Sequence, residues 1–403
     1  MPARPEVPEQ QENSLIMNYI LKEVISTEDL MAFIRFPDRL YRDVTHYVPA
    51  LHRGQRDTLS KEKNPAFEHC EARYWLALKD GRVAGRIAGI VNHRYNEERG
   101  TRLVRFGWLD FEEDPAVLRL LLQAVEDWGR EKGMDGVHGP LGFTSFDPSG
   151  VLVEGFDEWP TSFGRYNFPY YDALLKEAGY RKDVDWVEYI IRVPSVMPEK
   201  VIQAARLIGQ RYRVRQADIR SRKDALKYAG QIFELLNQVY AGLYAFSTLT
   251  PRQVDGLIRE FITMIHHDYV SVVLNERDEV VAFGLVMPSL VRALKRSRGK
   301  LFPLGWLRIL RALRYNDKVD MLLIGVRPDY QGKGVHSLVF DKIGRTYYKR
   351  GIRTIETTRE LELNTRVNQL WAGYEPRQHK RARCYVRALS PEAPEAAAVA
   401  GTG

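Results

Sequence analysis

Gly332, Lys333 and Gly334 stand between an apolar run, residues 321–326, and an amphipathic run, residues 336–350. That order reads as strand, glycine-rich turn, helix. Such a turn leaves the first backbone N–H groups of the helix without carbonyl partners, and an anion can take them. Without a Cβ, the two glycines let the main chain approach that anion closely. Lys333 adds a positive charge, so the chemistry of the stretch is phosphate binding. The turn lacks the Gly-Lys-Ser/Thr ending of a nucleotide P-loop, and the dinucleotide fingerprint is absent as well. An ordinary turn with two glycines is the plain alternative.

Other residues could also do chemistry. Residues 288–316 carry eight Lys/Arg and no Asp or Glu. Arg308, Arg311 and Arg314 recur every three positions, while Trp306, Ile309, Leu310 and Leu313 fill the turns between them. This predicts a basic amphipathic helix of the kind that lies on an anionic membrane or covers an amphiphile. A helix packed on the core with its arginines in water is the alternative. Nucleic acid lacks any accompanying signature. Residues 377–383 form a second basic stretch, read as a loop that holds a phosphate or is simply solvated. His69 has no paired histidine at ligand spacing, and His266-His267 suits a helix C-terminus better than a metal, so no metal site is expected. Asp147, Tyr166, Asn167 and Tyr170 fall in or beside an irregular Gly/Pro-rich segment, where loop residues often bind ligands.

The chain that positions these groups has 403 residues, 44% of them hydrophobic, enough for two or three domains. A net charge of +8 suits a phosphorylated cofactor, an anionic lipid or a nucleic acid alike. Cys70 and Cys384 are the only cysteines, which excludes a disulfide framework and favours a reducing compartment. The expected place is the cytoplasm or the inner face of its membrane. No apolar run is long enough to span a bilayer, and the first residues do not form a signal peptide.

Periodicity predicts strands at 19–24, 74–79, 83–91, 103–111, 136–138 and 184–193, with helices from Thr27, from Pro115 and over 170–178. Residues 37–66 read as a long loop. The second half repeats the order: a helical connector at 201–207, a strand at 212–217 and helices at 224–240 and 251–265. A hairpin at 269–274 and 280–286 follows. The glycine turn then has its own strand and helix, followed by strands at 354–357 and 382–388 around a helix at 364–371. The turn resembles the pyrophosphate loop of the GNAT superfamily of acyl-CoA-dependent N-acyltransferases, whose signature is Arg/Gln-x-x-Gly-x-Gly/Ala after a valine and a proline. Val326, Pro328, Gln331 and Gly334 fall on those positions, and His336 stands where Gly or Ala is usual. The segments Asn64-Pro65, 327–334 and Arg377-Gln378-His379 are similar to a two-lobed bacterial branch of the superfamily.

The resemblance implies an α/β (α+β) tandem GNAT fold with mixed sheets flanked by helices. It divides the chain into a disordered 1–17, a first lobe at 18–195, a second lobe at 196–389 and a disordered tail at 390–403. The first lobe carries Asp110, Glu112, Glu113 and Asp114 where the second has its glycine turn, and carboxylates there repel a pyrophosphate. Acetyl-CoA or a longer acyl-CoA is therefore expected in the second lobe only, held by Val326, Gln331, Gly332, Lys333, Gly334 and Val335. By family position, Glu356 is the candidate base. Tyr374 substitutes for the family's acid tyrosine, because that place falls near Trp371, and His336 is a further candidate acid. The expected activity is acyl transfer to an amine. The acceptor is a lipid-like long-chain amine, as in bacterial ceramide synthesis, or a soluble amine or peptide. A non-catalytic acyl-CoA- or lipid-binding protein is the alternative from another class.

Overall fold

The computed structural model describes residues 18–364, 370–371 and 374–389. The tails expected to be disordered and most of the helix expected at 364–371 lie outside the described residues. The chain opens with an edge strand, β1 (Tyr19–Glu23). Ser26 accepts from the Asp29 N–H at 3.0 Å while Asp29 reaches back to Ser26, and this capping box starts α1 (Thr27–Leu40). Residues 37–66 are not one loop. Helix α1 runs through Pro37, because burial of Phe33, Ile34 and Phe36 outweighs the hydrogen bond Pro37 cannot make, and α2 (His52–Leu59) follows. Strands β2 (Cys70–Lys79) and β3 (Arg82–Asn92) form a hairpin across Asp80 and Gly81, both at positive φ as a tight hairpin turn requires.

Next come α3 (His93–Arg99), β4 (Leu103–Phe111), α4 (Pro115–Glu131) and β5 (Gly136–Gly139), then β6 (Val151–Glu154), α5 (Tyr170–Glu177) and β7 (Arg181–Arg192). The second half continues with α6 (Glu199–Tyr212), β8 (Arg215–Gln216), α7 (Arg222–Lys227), α8 (Ala229–Tyr240), α9 (Pro251–Met264), β9 (Val270–Leu274) and β10 (Val280–Pro288). Helices α10 (Val291–Ser297) and α11 (Gly305–Arg314) make the insert. The chain closes with β11 (Lys318–Val326), α12 (His336–Arg350), β12 (Thr354–Thr357), β13 (Glu360–Leu361) and β14 (Arg377–Ala388).

Among the described residues all the strands join one 14-stranded mixed sheet. Its main path runs β1-β2-β3-β4-β5-β14-β7-β12-β11-β10-β9-β8, and only β4–β5 and β11–β12 are parallel along it. The two halves exchange their closing strands. Strand β7 of the first half pairs with β12, and β14 of the second pairs with β5. The exchange leaves no open edge in the middle of the sheet and ties the halves together. Strand β10 is buried along its whole length, which its unbroken apolar run anticipates. Helix α12 packs over it through Val339 and Ile343, beside α6.

Two basic stretches differ from their sequence reading. Residues 377–383 are not a loop but the start of β14, and His379 and Lys380 are buried there. The insert is two short helices packed on each other, not one. Ile309, Ala312 and Leu313 of α11 face the core, while Trp306, Leu307 and Leu310 stay exposed.

Candidate active site

Strands β11 and β12 pair only from Lys318↔Thr354 to Met321↔Thr357. Beyond Met321, β12 leaves and β11 continues to Val326 with β10 as its remaining partner. The two strands splay apart and open a cleft of about 1140 Å³. The Arg327 N–H donates to Val281 O at 2.8 Å, so Arg327 faces β10. With the period of two along a strand, Ile324 and Val326 turn their backbone groups the other way, into the cleft. Their carbonyls do meet cleft residues. Ile324 O accepts from Tyr240 Oη at 3.2 Å, and Val326 O accepts from Gln331 Nε2 at 3.0 Å.

The glycine turn sits at the end of that strand. Gly332 and Gly334 have φ of +71° and +75°, which other residues adopt only at a cost. A Cβ on Gly332 would meet nothing within 4 Å, so this glycine is needed for its conformation alone. No side chain caps the start of α12 among the described residues. The amides of Ser337 and Leu338 donate to Gly334 O at 2.9 Å and Val335 O at 3.2 Å, which leaves those of Gly334, Val335 and His336 for an anion, as a phosphate turn requires. Lys333 is exposed, with its Nζ 5.5 Å from the ring centroids of Tyr212 and Tyr330. Arg327 is not available to a ligand in the same way. It pairs with Asp329 at 2.8 Å and Glu279 at 3.1 Å. The turn's glycines, amides and lysine together fit a pyrophosphate.

Of the residues singled out by sequence, Val326, Gln331, Gly332 and His336 line the cleft. Lys333, Gly334 and Val335 carry the turn on into α12. Burial lowers the His336 pKa, which disfavours the protonated ring that an acid needs. The structure does not bring Glu356 or Tyr374 to the cleft. Tyr374 packs beside Phe340 and lines a small apolar pocket shared with Met197 and Tyr347. Glu356 is 0% exposed, in ion-pair contact with Lys318 and 3.2 Å from His379 Nε2. Burial pushes its carboxyl up, but His379 and Lys318 outweigh that and hold it below the ordinary value.

The cleft instead presents Glu360, which sequence reasoning missed. Its two oxygens accept from Trp371 Nε1 at 2.9 and 3.0 Å, and burial pushes its pKa up to about 8. Trp371, placed by sequence where the family acid belongs, thus holds a carboxyl there. No sequence signal marks Glu360 apart from Glu356. Only the point where β12 ends and turns decides which carboxyl reaches the cleft.

The first half contributes the opposite wall through residues 145–149, 161–164 and the start of β7. Asp147 lines it. Asn167 instead braces the Leu152 backbone, Tyr170 Oη donates to Phe111 O at 2.5 Å, and Tyr166 packs on Tyr41 and Phe168. The first half's own splay, between β4 and β5, is filled. Leu141 N donates to Phe106 O at 2.8 Å, and Phe111 N donates to Tyr171 Oη at 3.0 Å. At the start of α4, Asp114 accepts from Ala116 N at 2.9 Å and takes the place an anion would have.

No protein-family model matches the chain. It is 26% identical over 391 residues to protein YghO of Escherichia coli (strain K12), covering 94% of this chain and 98% of that protein. It is 27% identical over 371 residues to a bacterial ceramide synthase of Caulobacter vibrioides (strain NA1000 / CB15N), covering 90% and 95%. Among solved structures, a tandem GNAT protein from the clavulanic acid biosynthesis pathway superposes with a TM-score of 0.53 at 12% identity, over 93% of this chain and 99% of that one. The splayed parallel pair, the glycine turn and this superposition agree: the chain has the fold of the GNAT N-acetyltransferases, in the arrangement of a tandem GNAT protein.

Proposed function

We propose that the protein is an acyl-CoA-dependent N-acyltransferase whose second half holds the cofactor and whose first half shapes the acceptor side. The observation that carries this reading is the joint presence of a free glycine turn and an open β11 edge in one half, while both counterparts are filled in the other. Acyl-CoA, when bound, supplies an activated acyl group. The amides of Gly332, Gly334 and Val335 and the Lys333 side chain hold its pyrophosphate; the Lys333 amide donates to Tyr330 O. The Ile324 and Val326 backbone faces the thioester, where an N–H can stabilise the carbonyl oxygen. The amide C–N bond forms as the C–S bond breaks, the amine gives up one proton and the thiolate takes one. Glu360, protonated at neutral pH, donates at the thiolate, and Trp371 positions it. This role replaces the one that the sequence reading gives to Tyr374, as the nearest substitute for the family tyrosine, and to His336.

The acceptor we favour is a lipid-like amine. The ceramide synthase among the relatives supports it, and so does the apolar and basic outer face of α11, which suits a membrane surface. Among the described residues no helix is long and apolar enough to cross a membrane, so contact would be peripheral. Thiol release from acyl-CoA in the presence of an amine panel tests the reading. Saturable acyl-CoA binding without turnover on any amine would favour the non-catalytic binding protein.

Glu360 adds a pH prediction. Only its protonated form donates, so the transfer rate should fall as pH rises through about 8. Glu360→Gln should lower kcat by roughly 10²-fold and lose that limb. Stability carries the same sign. The folded state holds this proton more tightly than the unfolded chain, whose ordinary value is 4.5, so stability should decline as pH rises from there to about 8. Glu360→Gln should flatten that decline in thermal melts.

A further inference from the structure

One face of the sheet, away from α12, gathers ionisable groups from four adjacent strands. Glu188 comes from β7, Glu356 from β12, His379 and Lys380 from β14, and Lys318 and Asp320 from β11. All but Lys318 are almost fully buried. Ligand atoms of Glu188, Glu356 and His379 lie within 4.8 Å of one another. Lys380 Nζ is 3.9 Å and Arg359 Nε 3.3 Å from Glu188, while Ser162 N donates to Asp320 at 2.9 Å. Asp320, raised to about 6 by burial and by Glu356, stands beside the cluster.

Two features set this cluster apart from an ordinary ion-pair network. First, the outer contacts of its buried atoms are long: Glu188 Oε2 lies 3.9 Å from Lys380 Nζ and His379 Nδ1 lies 3.5 Å from Glu158 Oε2, beyond ordinary hydrogen-bond length, while Glu356 is held by Lys318 and by His379 Nε2. Buried polar atoms rarely stay so loosely paired unless water or a transferred group visits them. Second, the groups form a line. Glu188 lines the cleft. His379 Nε2 is 3.2 Å from Glu356, and its Nδ1 is 3.5 Å from Glu158 Oε2. The Glu158 side chain is 25% exposed and pairs with the exposed Arg377. A divalent ion at the same three ligands is disfavoured, because Lys318, Lys380 and Arg359 already balance the carboxylates.

We propose that this line is a proton exit for the acceptor amine, running from Glu188 through Glu356 and His379 to Glu158 and solvent. The proposal rests on the acyl-transfer reading above. Glu188 holds the ammonium at the cleft wall and takes its proton, leaving a neutral amine and a protonated carboxyl. The imidazole of His379 accepts on one nitrogen and releases from the other, and the ring returns to its first tautomer before the next turnover. Lys318 pairs with Glu356, and Lys380 and Arg359 with Glu188, which balances the charge of the buried carboxylates. Glu188 is then a catalytic residue, and Glu356, His379 and Glu158 act through it.

The test uses the full chain, acyl-CoA and an amine that the wild type acylates. Glu158→Gln is partly exposed and should fold normally. It should lower kcat roughly ten-fold in dilute buffer, recover as buffer concentration rises, and leave acyl-CoA affinity unchanged. His379→Ala should lose roughly 10²-fold and be rescued by added imidazole, while His379→Gln is not rescued. Unchanged kcat and buffer dependence in Glu158→Gln overturn the relay, as does a loss in His379→Ala that imidazole leaves untouched. If the wild type releases no thiol with any amine, acyl transfer and relay fall together. Wild-type turnover with unaffected variants removes only the relay.

Discussion

Lys333→Glu is expected to weaken acyl-CoA binding by roughly 10²-fold in calorimetry, with thermal stability unchanged. Lys333 is exposed and in no ion pair among the described residues, so its reversal gives up only the contacts of its ammonium with the Tyr212 and Tyr330 rings. It replaces an attractive charge by a repulsive one at a helix start whose amides no side chain caps. Two charge-assisted interactions are at stake, each worth about 1.5–3 kcal/mol for a doubly charged pyrophosphate. A substitution at Gly334 would be less decisive. Its φ of +75°, and the Ile208 side chain 3.3 Å from where a Cβ would stand, would add strain to any loss of binding. The first half supplies the control. Asp114→Ala should cost about 1 kcal/mol as a lost helix cap and leave acyl-CoA affinity as it was. Wild-type affinity in Lys333→Glu would remove the cofactor assignment.

Reversing Arg308, Arg311 and Arg314 to Glu should abolish sedimentation with phosphatidylglycerol vesicles, while the wild type binds them and ignores phosphatidylcholine. Six exposed large apolar side chains cluster at Phe302, Leu304, Trp306, Leu307, Leu310 and Tyr315. Arg311 and Arg314 lie against the Tyr315 ring at 5.7 and 5.4 Å, so the charge and the apolar surface share one patch. Each basic residue near an anionic surface contributes about 1 kcal/mol, and reversal turns that attraction into repulsion. Three changes therefore correspond to more than a ~10³-fold loss. Replacing Trp306, Leu307 and Leu310 by Ser should weaken binding without changing its salt dependence. If the wild type ignores anionic vesicles and prefers acetyl-CoA to long-chain acyl-CoA, the patch is only a cover for the sheet.

The sequence by itself determined the pieces whose physics is local. The glycine turn, its flanking strand and its helix follow from Gly332, Gly334 and two runs of different period, and the structure places them as expected. The hairpin at Asp80-Gly81, the capped α4 and the inequality between Asp114 and the glycine turn are equally local. Tertiary structure alone decided the rest. Nothing in residues 377–383 says that a stretch so rich in arginine and lysine is a central strand, because its burial depends on Asp185, Glu188 and Glu356 arriving from other strands. Glu356 and Glu360 are alike in sequence. The end of β12 sends one beneath the sheet and the other into the cleft. The exchange of β7 and β14 is invisible to periodicity, which fixes a strand's faces but not its neighbours. Pairing across a sheet is chosen by long-range packing, and so the cleft, its buried Glu360 carboxyl and the charged face behind it appeared only in three dimensions.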